Sequence, residues 1–182
     1  MTTQTFDQLI AGRNHASAWA ALNDLFRKGT PPTQLLDGRY SGELVMLDIA
    51  PGLTQLMNAL ISAWLPWKGK TFNPQTNTGD NVFTRDSLLL ARLFNPTYHG
   101  FVDNGPETYR AFAFRTYVAP GLADPDRQVL KIDYDTPDNP ALTIRRVLDE
   151  LVHIEDGLYL GKVHVKWWWG TWQLVAYFAL RA

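Results

Sequence analysis

The fold is decided by the stretch Gly157–Arg181, GLYLGKVHVKWWWGTWQLVAYFALR, near the C-terminus. Two runs rich in Val, Tyr, Trp and Phe, Leu158–Trp168 and Thr171–Leu180, flank a turn at Gly170, and this pattern predicts a β-hairpin. At about 3.3 Å of rise per residue, each strand reaches over about 30 Å, which suits a tilted barrel strand better than a sandwich strand. The hairpin therefore predicts a closed antiparallel β-barrel.

The two faces of this hairpin follow from the alternation of side chains along a strand. The predicted interior face comprises Tyr159, Gly161, Val163, Val165 and Trp167 in the first strand and Trp172, Leu174, Ala176, Phe178 and Leu180 in the second. The other face of the second strand, which includes Val175, Tyr177 and Ala179, is also largely apolar. Because a strand with one wet face normally carries polar residues there, we expect a helix or a partner subunit to cover it.

Composition indicates one globular domain over residues 1–182, with 46% hydrophobic and 19% charged residues. The net charge is −1 and the 17 basic residues are spread along the chain, which argues against nucleic acid as a partner. The absence of cysteine excludes disulfides and thiolate metal sites and is compatible with the cytoplasm. We expect a cytoplasmic protein, because the N-terminus does not resemble a secretory signal and no stretch is apolar enough to span a bilayer.

Upstream of the hairpin, helical spacing predicts an N-terminal helix over Phe6–Lys28 and a second helix over Leu53–Trp64 that Pro66 ends. A strand is expected between them at Leu36–Ile49. In the later segment Thr108–Val118, alternation places Phe112 and Phe114 on one face and Tyr109, Arg115 and Tyr117 on the other. With roughly eight extended segments joined mainly by turns, the chain indicates an antiparallel barrel rather than βαβ units.

Three local patterns in this order resemble a known family. The segment Gly38–Gly42, GRYSG, has the spacing of the G-x-W-x-G motif that names the GXWXG proteins, with Tyr40 in place of the tryptophan. The segment Trp67–Phe72, WKGKTF, resembles the W-x-G-K-x-F that follows that motif. Downstream similarity lies at Tyr134-Asp135, Pro140, Asp149, Gly161 and Tyr177–Arg181, whereas Leu151-Val152 replace an expected Phe-Arg pair. The resemblance implies a calycin-like or lipocalin-like barrel in a bacterial family of unknown function.

The sequence therefore predicts a mainly β (α+β) fold, a calycin-like antiparallel barrel with an N-terminal helix and a second helix after the first strand. A barrel of about eight strands is wide enough either to be filled by side chains or to hold one small ligand. Aromatic residues make up 13% of the chain, including seven tryptophans, and a few isolated charges accompany them. This composition favours an apolar pocket with a few orienting polar groups, and a filled core is the alternative.

Nine residues are candidates for binding a ligand in such a pocket. Aromatic side chains would form its walls, and Lys70, Arg85 or Arg115 would orient a polar or anionic end of the ligand. We expect Lys70 at the mouth, because Pro66 ends a helix just before it and Gly69 permits a tight turn; a solvated lysine lying across an aromatic ring is the alternative. The candidates are Tyr40, Trp67, Lys70, Phe72, Arg85, Tyr109, Arg115, Tyr159 and Trp172.

Acid–base and metal chemistry have little support in the sequence. Asp149, Glu150, His153 and His164 could come together about the turn at Gly157, but no metal-binding spacing such as H-E-x-x-H is present. The two histidines are therefore expected to be exposed to solvent, and neither a metal nor a cofactor is predicted. Motifs for serine hydrolases, P-loop enzymes and Rossmann dinucleotide binding do not occur.

The leading functional hypothesis is the binding of a small, largely apolar molecule, such as a lipid, terpenoid or polyketide-like compound, in the barrel. The alternative is a cyclase or isomerase that acts on an apolar substrate in the same pocket, since holding a reactive conformer requires little dedicated chemistry. A second alternative is a filled structural barrel that forms a homodimer through the outer face of the final hairpin. The sequence thus leaves enzymatic activity open.

Overall fold

The structure is a computed structural model that describes residues 4–32, 36–48 and 66–182. The helix predicted at Leu53–Trp64 lies outside the described residues. Within those ranges no helix is long and apolar enough to cross a membrane.

Nine antiparallel strands in the described ranges form one sheet in the order β3-β2-β1-β9-β8-β7-β6-β5-β4. Pairing of β3 with β5 closes eight of them into a barrel, and the two-residue β4 lies beside β5 outside this ring. The closed antiparallel barrel predicted from the hairpin is confirmed. The strands are β1 (Gly38–Leu47), β2 (Trp67–Asn73), β3 (Thr78–Thr84), β4 (Val102–Asp103), β5 (Thr108–Pro120), β6 (Gln128–Asp133), β7 (Val147–Glu155), β8 (Leu158–Lys166) and β9 (Trp172–Arg181).

The final hairpin, β8 and β9, has a β-bulge that changes the predicted faces of its second strand. The register shifts opposite Val163 and His164, so that Val175 is the extra residue on β9. As a result Val175 packs in the interior cluster, although alternation predicted it outside. Trp172 pairs instead with the exposed Lys166 on the outer side of the barrel. A bulge reverses the alternation on one side of the inserted residue, which explains both errors.

Two helices replace the single N-terminal helix predicted from the sequence: α1 (Gln4–Ile10) and α2 (His15–Lys28). The break falls before Asn14, whose side chain caps α2 by accepting a hydrogen bond from the Ser17 N–H. The apolar side of α2 covers the outer face of β7–β9, and Trp19 packs edge-on against Tyr177. A helix of the same chain therefore covers the apolar outer face, and no second copy is needed to explain it.

A second bulge lies in β5 at Phe112, which has a φ of +58°. Phe114 pairs with Gly79 but Ala111 pairs with Asn81, so the alternation is reset between them. Tyr109 consequently faces the interior with Phe114, whereas the prediction placed these two residues on opposite faces. Non-glycine residues seldom adopt positive φ, so the sequence carried no local sign of this bulge.

A short helix, α3 (Leu88–Phe94), follows β3 after a 3₁₀ turn at Arg85–Ser87. The apolar run LLLARLF is compatible with either a strand or a helical turn, and the structure has the helix. Several hairpin turns meet at one end of the barrel, which we call the hairpin end. They are the connections β2–β3, β5–β6 and β7–β8.

Candidate functional site

A buried cluster of polar side chains lies inside the barrel around Lys70. The side chain of Lys70 is 2% exposed and its Nζ lies 2.9 Å from Asp149 Oδ2. Lys70 Nζ also donates to Asn81 Oδ1 at 2.8 Å and to the hydroxyl of Tyr134. The three hydrogens of a charged lysine therefore each have a partner.

The ion pair between Lys70 and Asp149 crosses the interior from wall to wall. Lys70 is on β2 and Asp149 on β7, and these strands are four apart in either direction around the closed ring of eight. Four aromatic rings surround the lysine, with Nζ between 5.1 and 5.4 Å from each ring centroid. The rings are those of Trp67, Phe114, Tyr134 and Phe178. Such faces attract a cation, so the cage partly replaces the water that Lys70 loses.

Asn81 fixes the geometry of this cluster from β3. Its Nδ2 donates to the carbonyl of Phe112 at 3.2 Å, which leaves Oδ1 as the acceptor that faces the cluster. Oδ1 accepts from Trp67 Nε1 at 3.1 Å as well as from Lys70. The bulge at Phe112 therefore turns a backbone carbonyl toward Asn81 and sets the orientation of its amide.

Burial shifts the ionisation of all three titratable members of the cluster. It lowers the pKa of Lys70, against the opposing attraction of Asp149. It raises the pKa of Asp149, against the opposing effect of Lys70, and it raises that of Tyr134 well above its usual value. These shifts bring the proton affinities of the amine and the carboxyl group closer together, so that a proton can pass between them at a lower cost than in water.

One atom of the cluster is unsatisfied. Asp149 Oδ1 is buried, and among the described residues no donor forms a hydrogen bond with it. The hydroxyl of Tyr134 lies 3.1 Å from Asp149 Oδ2 and 3.1 Å from Asn81 Oδ1, and its one proton can serve only one of them. A buried carboxylate oxygen without a partner costs free energy, so this oxygen is available to a donor that enters the interior.

A pocket with a volume of about 140 Å³ opens at the hairpin end of the barrel. The described residues that line it are mostly apolar, with a few Asn and Thr side chains. Phe72 lines the pocket and packs against Phe114 at 5.4 Å between ring centroids, and Phe114 in turn lies 5.4 Å from Lys70 Nζ. The ring layer of Phe72 and Phe114 thus separates this pocket from the Lys70 cluster. The lining residues include Leu36, Phe72, Asn77, Thr78, Thr116, Val118 and Leu130.

Several sequence candidates come together in the interior. Tyr40 packs edge-on against both Phe72 and Tyr159, with ring centroids 5.5 and 5.6 Å apart. Trp67 packs against Phe178, and its Nε1 donates a hydrogen bond to Asn81 Oδ1. These aromatic residues therefore line the barrel as expected.

Tyr109 also faces the interior but lies apart from this group. Its ring stacks on Phe83 at 5.4 Å and its hydroxyl contacts Ser87 at 3.2 Å. Both partners belong to the part of the chain that leads into α3, away from the hairpin end.

Three candidates are outside the barrel, and their predicted contact with an interior ligand is wrong. Arg85 pairs with Asp103 at the surface, in a 3₁₀ turn and not in a strand. Arg115 is 58% exposed and pairs with Asp133, because it alternates with the inward-facing Phe114. Trp172 lies beside Lys166, because the β9 bulge turns it outward.

The expected location of Lys70 at the mouth is also wrong, because the side chain is buried and bound on all sides. His164 was expected to be exposed, but it is 2% exposed, and burial lowers its pKa to about 4. The outward direction predicted for His164 is correct. The β5–β6 connection folds over this outer face and covers the histidine. It is held there by a hydrogen bond that the N–H of Leu122 donates to Glu150, the neighbour of Asp149.

A second buried lysine lies on the outer face of β8. Lys162 Nζ donates to Asp124 Oδ2 at 2.6 Å and to Asn23 Oδ1 at 2.7 Å, and it lies 4.3 Å from the ring centroid of Phe26. These partners belong to α2 and to the β5–β6 connection. Lys162 therefore links α2 and the β5–β6 connection to the outer face of the barrel. Unlike Lys70, it faces a helix and not the interior of the barrel.

The sequence does not reveal the partners of Lys70. It groups Asp149 with two histidines, and no local pattern identifies Tyr134 or Asn81 as a partner of the lysine. Alternation carried a usable signal for two of these positions: Lys70 shares a face with Phe72, and Asp149 shares a face with Val147 and Leu151. A charged residue on an apolar strand face is expected to find a buried partner of opposite charge.

The comparisons with known proteins support the fold alone. No protein family model and no curated protein matches the chain. A solved structure described as a crystal structure of a protein from Thermomonospora curvata is similar, with a TM-score of 0.53 and 12% sequence identity. The match covers 98% of this chain and 95% of the other, so the two proteins share the overall barrel architecture.

Proposed function

We propose that the barrel binds a small, largely apolar molecule in the hairpin-end pocket. The observation that carries this proposal is the combination of a mainly apolar lining with a few polar groups. Phe72, Val118 and Leu130 supply apolar surface, and Asn77 and Thr116 supply polar groups. Ligand sites in proteins typically have this composition.

The volume of the pocket limits what it can enclose. At about 140 Å³ it is close to the cavity of about 150 Å³ that is known to bind benzene in another protein. One aromatic ring or a short branched chain therefore fits inside. A lipid, terpenoid or polyketide-like molecule, as expected from the sequence, would place only one end in the pocket and would extend past its edge.

Calorimetric titration with benzyl alcohol tests this proposal, together with two matched variants. Thr116 lines the pocket, and Thr116→Phe fills it with a ring. Thr71 lies on the outer face of β2, between Lys70 and Phe72, and Thr71→Phe is the control. We expect the wild type and Thr71→Phe to bind and Thr116→Phe to lose binding. Equal binding by all three proteins, or none by the wild type, would overturn the proposal.

The alternative function is that of an isomerase or cyclase in the same barrel. It is favoured by one observation, the contact of Lys70, Tyr134 and Asp149 in a chain through which a proton can move. General acid–base catalysis requires groups whose proton affinities are matched in this way. Incubation of the protein with a bound compound, followed by a search for a product of equal mass and different retention, separates catalysis from simple binding.

We also propose a cytoplasmic location, since a chain without cysteine needs no oxidising compartment.

The hypothesis of a filled barrel that forms a homodimer loses its main argument, because α2 covers Tyr177 and Ala179. Light scattering of the purified protein measures the oligomeric state directly.

A further inference from the structure

The environment of Lys70 differs from that of a lysine that only stabilises a fold. Its amine lies in an aromatic cage inside a barrel, next to a carboxyl group and a phenol. Buried lysines of lowered basicity commonly act as amine nucleophiles toward carbonyl compounds, because the neutral amine becomes accessible near neutral pH. The hydrogen-bonding partners of Lys70 supply the acid and base that such a reaction requires.

We infer that Lys70 is a carbonyl-reactive amine, which forms a reversible imine with a small aldehyde or ketone that reaches it from the hairpin-end pocket. The inference deepens the proposed function and rests on it, since it assigns a chemical class to the ligand. Asp149 Oδ1 is the second observation that supports it. This buried oxygen accepts no hydrogen bond from the described residues, so that, once Asp149 holds the proton of the lysine, it can donate that proton to the carbonyl oxygen of a ligand.

The reaction can be balanced with the groups present. The proton of the lysine first passes to Asp149, which leaves a neutral amine and a carboxylic acid. Nζ then attacks the carbonyl carbon, a C–N bond forms, and the carbonyl oxygen takes a proton from the Tyr134 or Asp149 side chain. In the second step the nitrogen gives one hydrogen to Asp149, the C–O bond breaks, and the oxygen takes up this proton and leaves as water. Of the three hydrogens of the starting ammonium, two leave in the water and the third stays on nitrogen as a protonated imine, which pairs with the Asp149 carboxylate. The phenol and the carboxylate thereby return to their starting states, and hydrolysis reverses the sequence.

The route to the amine passes the ring layer of the pocket. Phe72 and Phe114 pack edge to face, and Phe114 is itself one of the four rings around Lys70. Rotation of Phe72 away from Phe114 would join the pocket to the cluster. Truncation of Phe72 to alanine is therefore expected to speed the reaction of Lys70 with a carbonyl compound.

The experiment uses the wild-type protein, benzaldehyde and cyanoborohydride at pH 6, with the modified lysines mapped by peptide mass spectrometry. Cyanoborohydride supplies the hydride that converts an imine into a stable benzylamine. Lys162, which is equally buried but covered by α2, and the exposed Lys68 are internal controls. Among the groups that face Lys70 in the described residues, Asp149 and Tyr134 are titratable. Because a lowered pKa raises the neutral fraction of a lysine at pH 6, we expect Lys70 to be modified several times faster than either control.

Equal modification of the three lysines, or modification of Lys68 alone, would overturn the inference. Calorimetry with benzyl alcohol, which has no carbonyl group, separates this result from a failure of the proposed function. Binding of benzyl alcohol without modification of Lys70 refutes the imine and leaves the pocket intact. The absence of both binding and modification refutes both proposals. Faster modification in Phe72→Ala supports the route through the pocket, and an unchanged rate refutes that route.

Discussion

Removal of one member of the Lys70–Asp149 pair is expected to destabilise the protein strongly, whereas removal of both is not. In Lys70→Met, Asp149 stays buried and keeps only the hydroxyl of Tyr134 at 3.1 Å. Loss of one partner from a buried pair typically costs about 3–5 kcal/mol. Since a domain of this kind has a free energy of unfolding of about 5–15 kcal/mol, the variant would retain only part of its stability.

The double variant Lys70→Met/Asp149→Leu replaces the pair with apolar side chains of similar size. Tyr134 still donates to Asn81 Oδ1 at 3.1 Å, so no new unsatisfied group is left behind. Replacement of a buried pair by well-packed apolar residues is often neutral or stabilising by about 1–4 kcal/mol. We therefore expect the free energy of unfolding of the double variant to equal or exceed that of the wild type, with an error of about 1 kcal/mol.

Urea denaturation at pH 7 of the wild type, both single variants and the double variant measures this coupling. A double variant that loses the sum of the two single losses would refute the reasoning, because the pair would then be needed for the fold. The loss in Lys70→Met should also shrink in acid. Burial raises the pKa of Asp149, so between its unfolded and folded pKa the native state binds more protons and stability increases as the pH falls.

Three further predictions concern residues away from this pair. Burial lowers the pKa of His164 to about 4. Its contribution to the free energy of unfolding, up to about 3 kcal/mol, is therefore present above pH 6.5 and lost as the pH falls toward 4. His164→Leu should flatten the pH dependence of stability in this range, as measured by urea denaturation. Leu22→Ala, in the buried face of α2, should cost about 2–5 kcal/mol in chemical denaturation, whereas Leu142→Ala at the surface should change stability by less than about 0.5 kcal/mol. Gly161→Ala should lower the melting temperature by about 6–12 °C, the effect of about 3 kcal/mol in a domain of this size, because its Cβ would lie 2.1 Å from the Phe178 ring, and Phe178→Leu in the same chain should restore part of the loss.

The sequence was sufficient to predict the closed barrel, since the strand lengths and alternation of the final hairpin indicate it without reference to other proteins. Single strands were less predictable, because the bulges at Phe112 and Val175 reverse the faces on either side of them. Neither residue type signals a bulge. The inward position of Tyr109 and the outward position of Trp172 follow from these two irregularities.

The candidate site was predictable in part. Alternation places Lys70 on the face of Phe72, but its partner Asp149 is on the opposite wall, and local patterns do not show which strands face each other across a barrel. Asn81 could not be identified at all, because its orientation depends on a carbonyl that the Phe112 bulge turns inward. Side-chain type therefore indicated the lysine, and only the three-dimensional arrangement revealed the groups that act with it.

A crystal structure of the protein soaked with iodobenzene tests the central claim most directly, because the anomalous signal of iodine locates the ligand without reference to any assay. The pocket of about 140 Å³ between Phe72, Val118 and Leu130 is the predicted site. We expect a strong anomalous peak there, with the ring against Phe72. A structure with no peak in this pocket, or with iodine only at surface positions, would contradict the account.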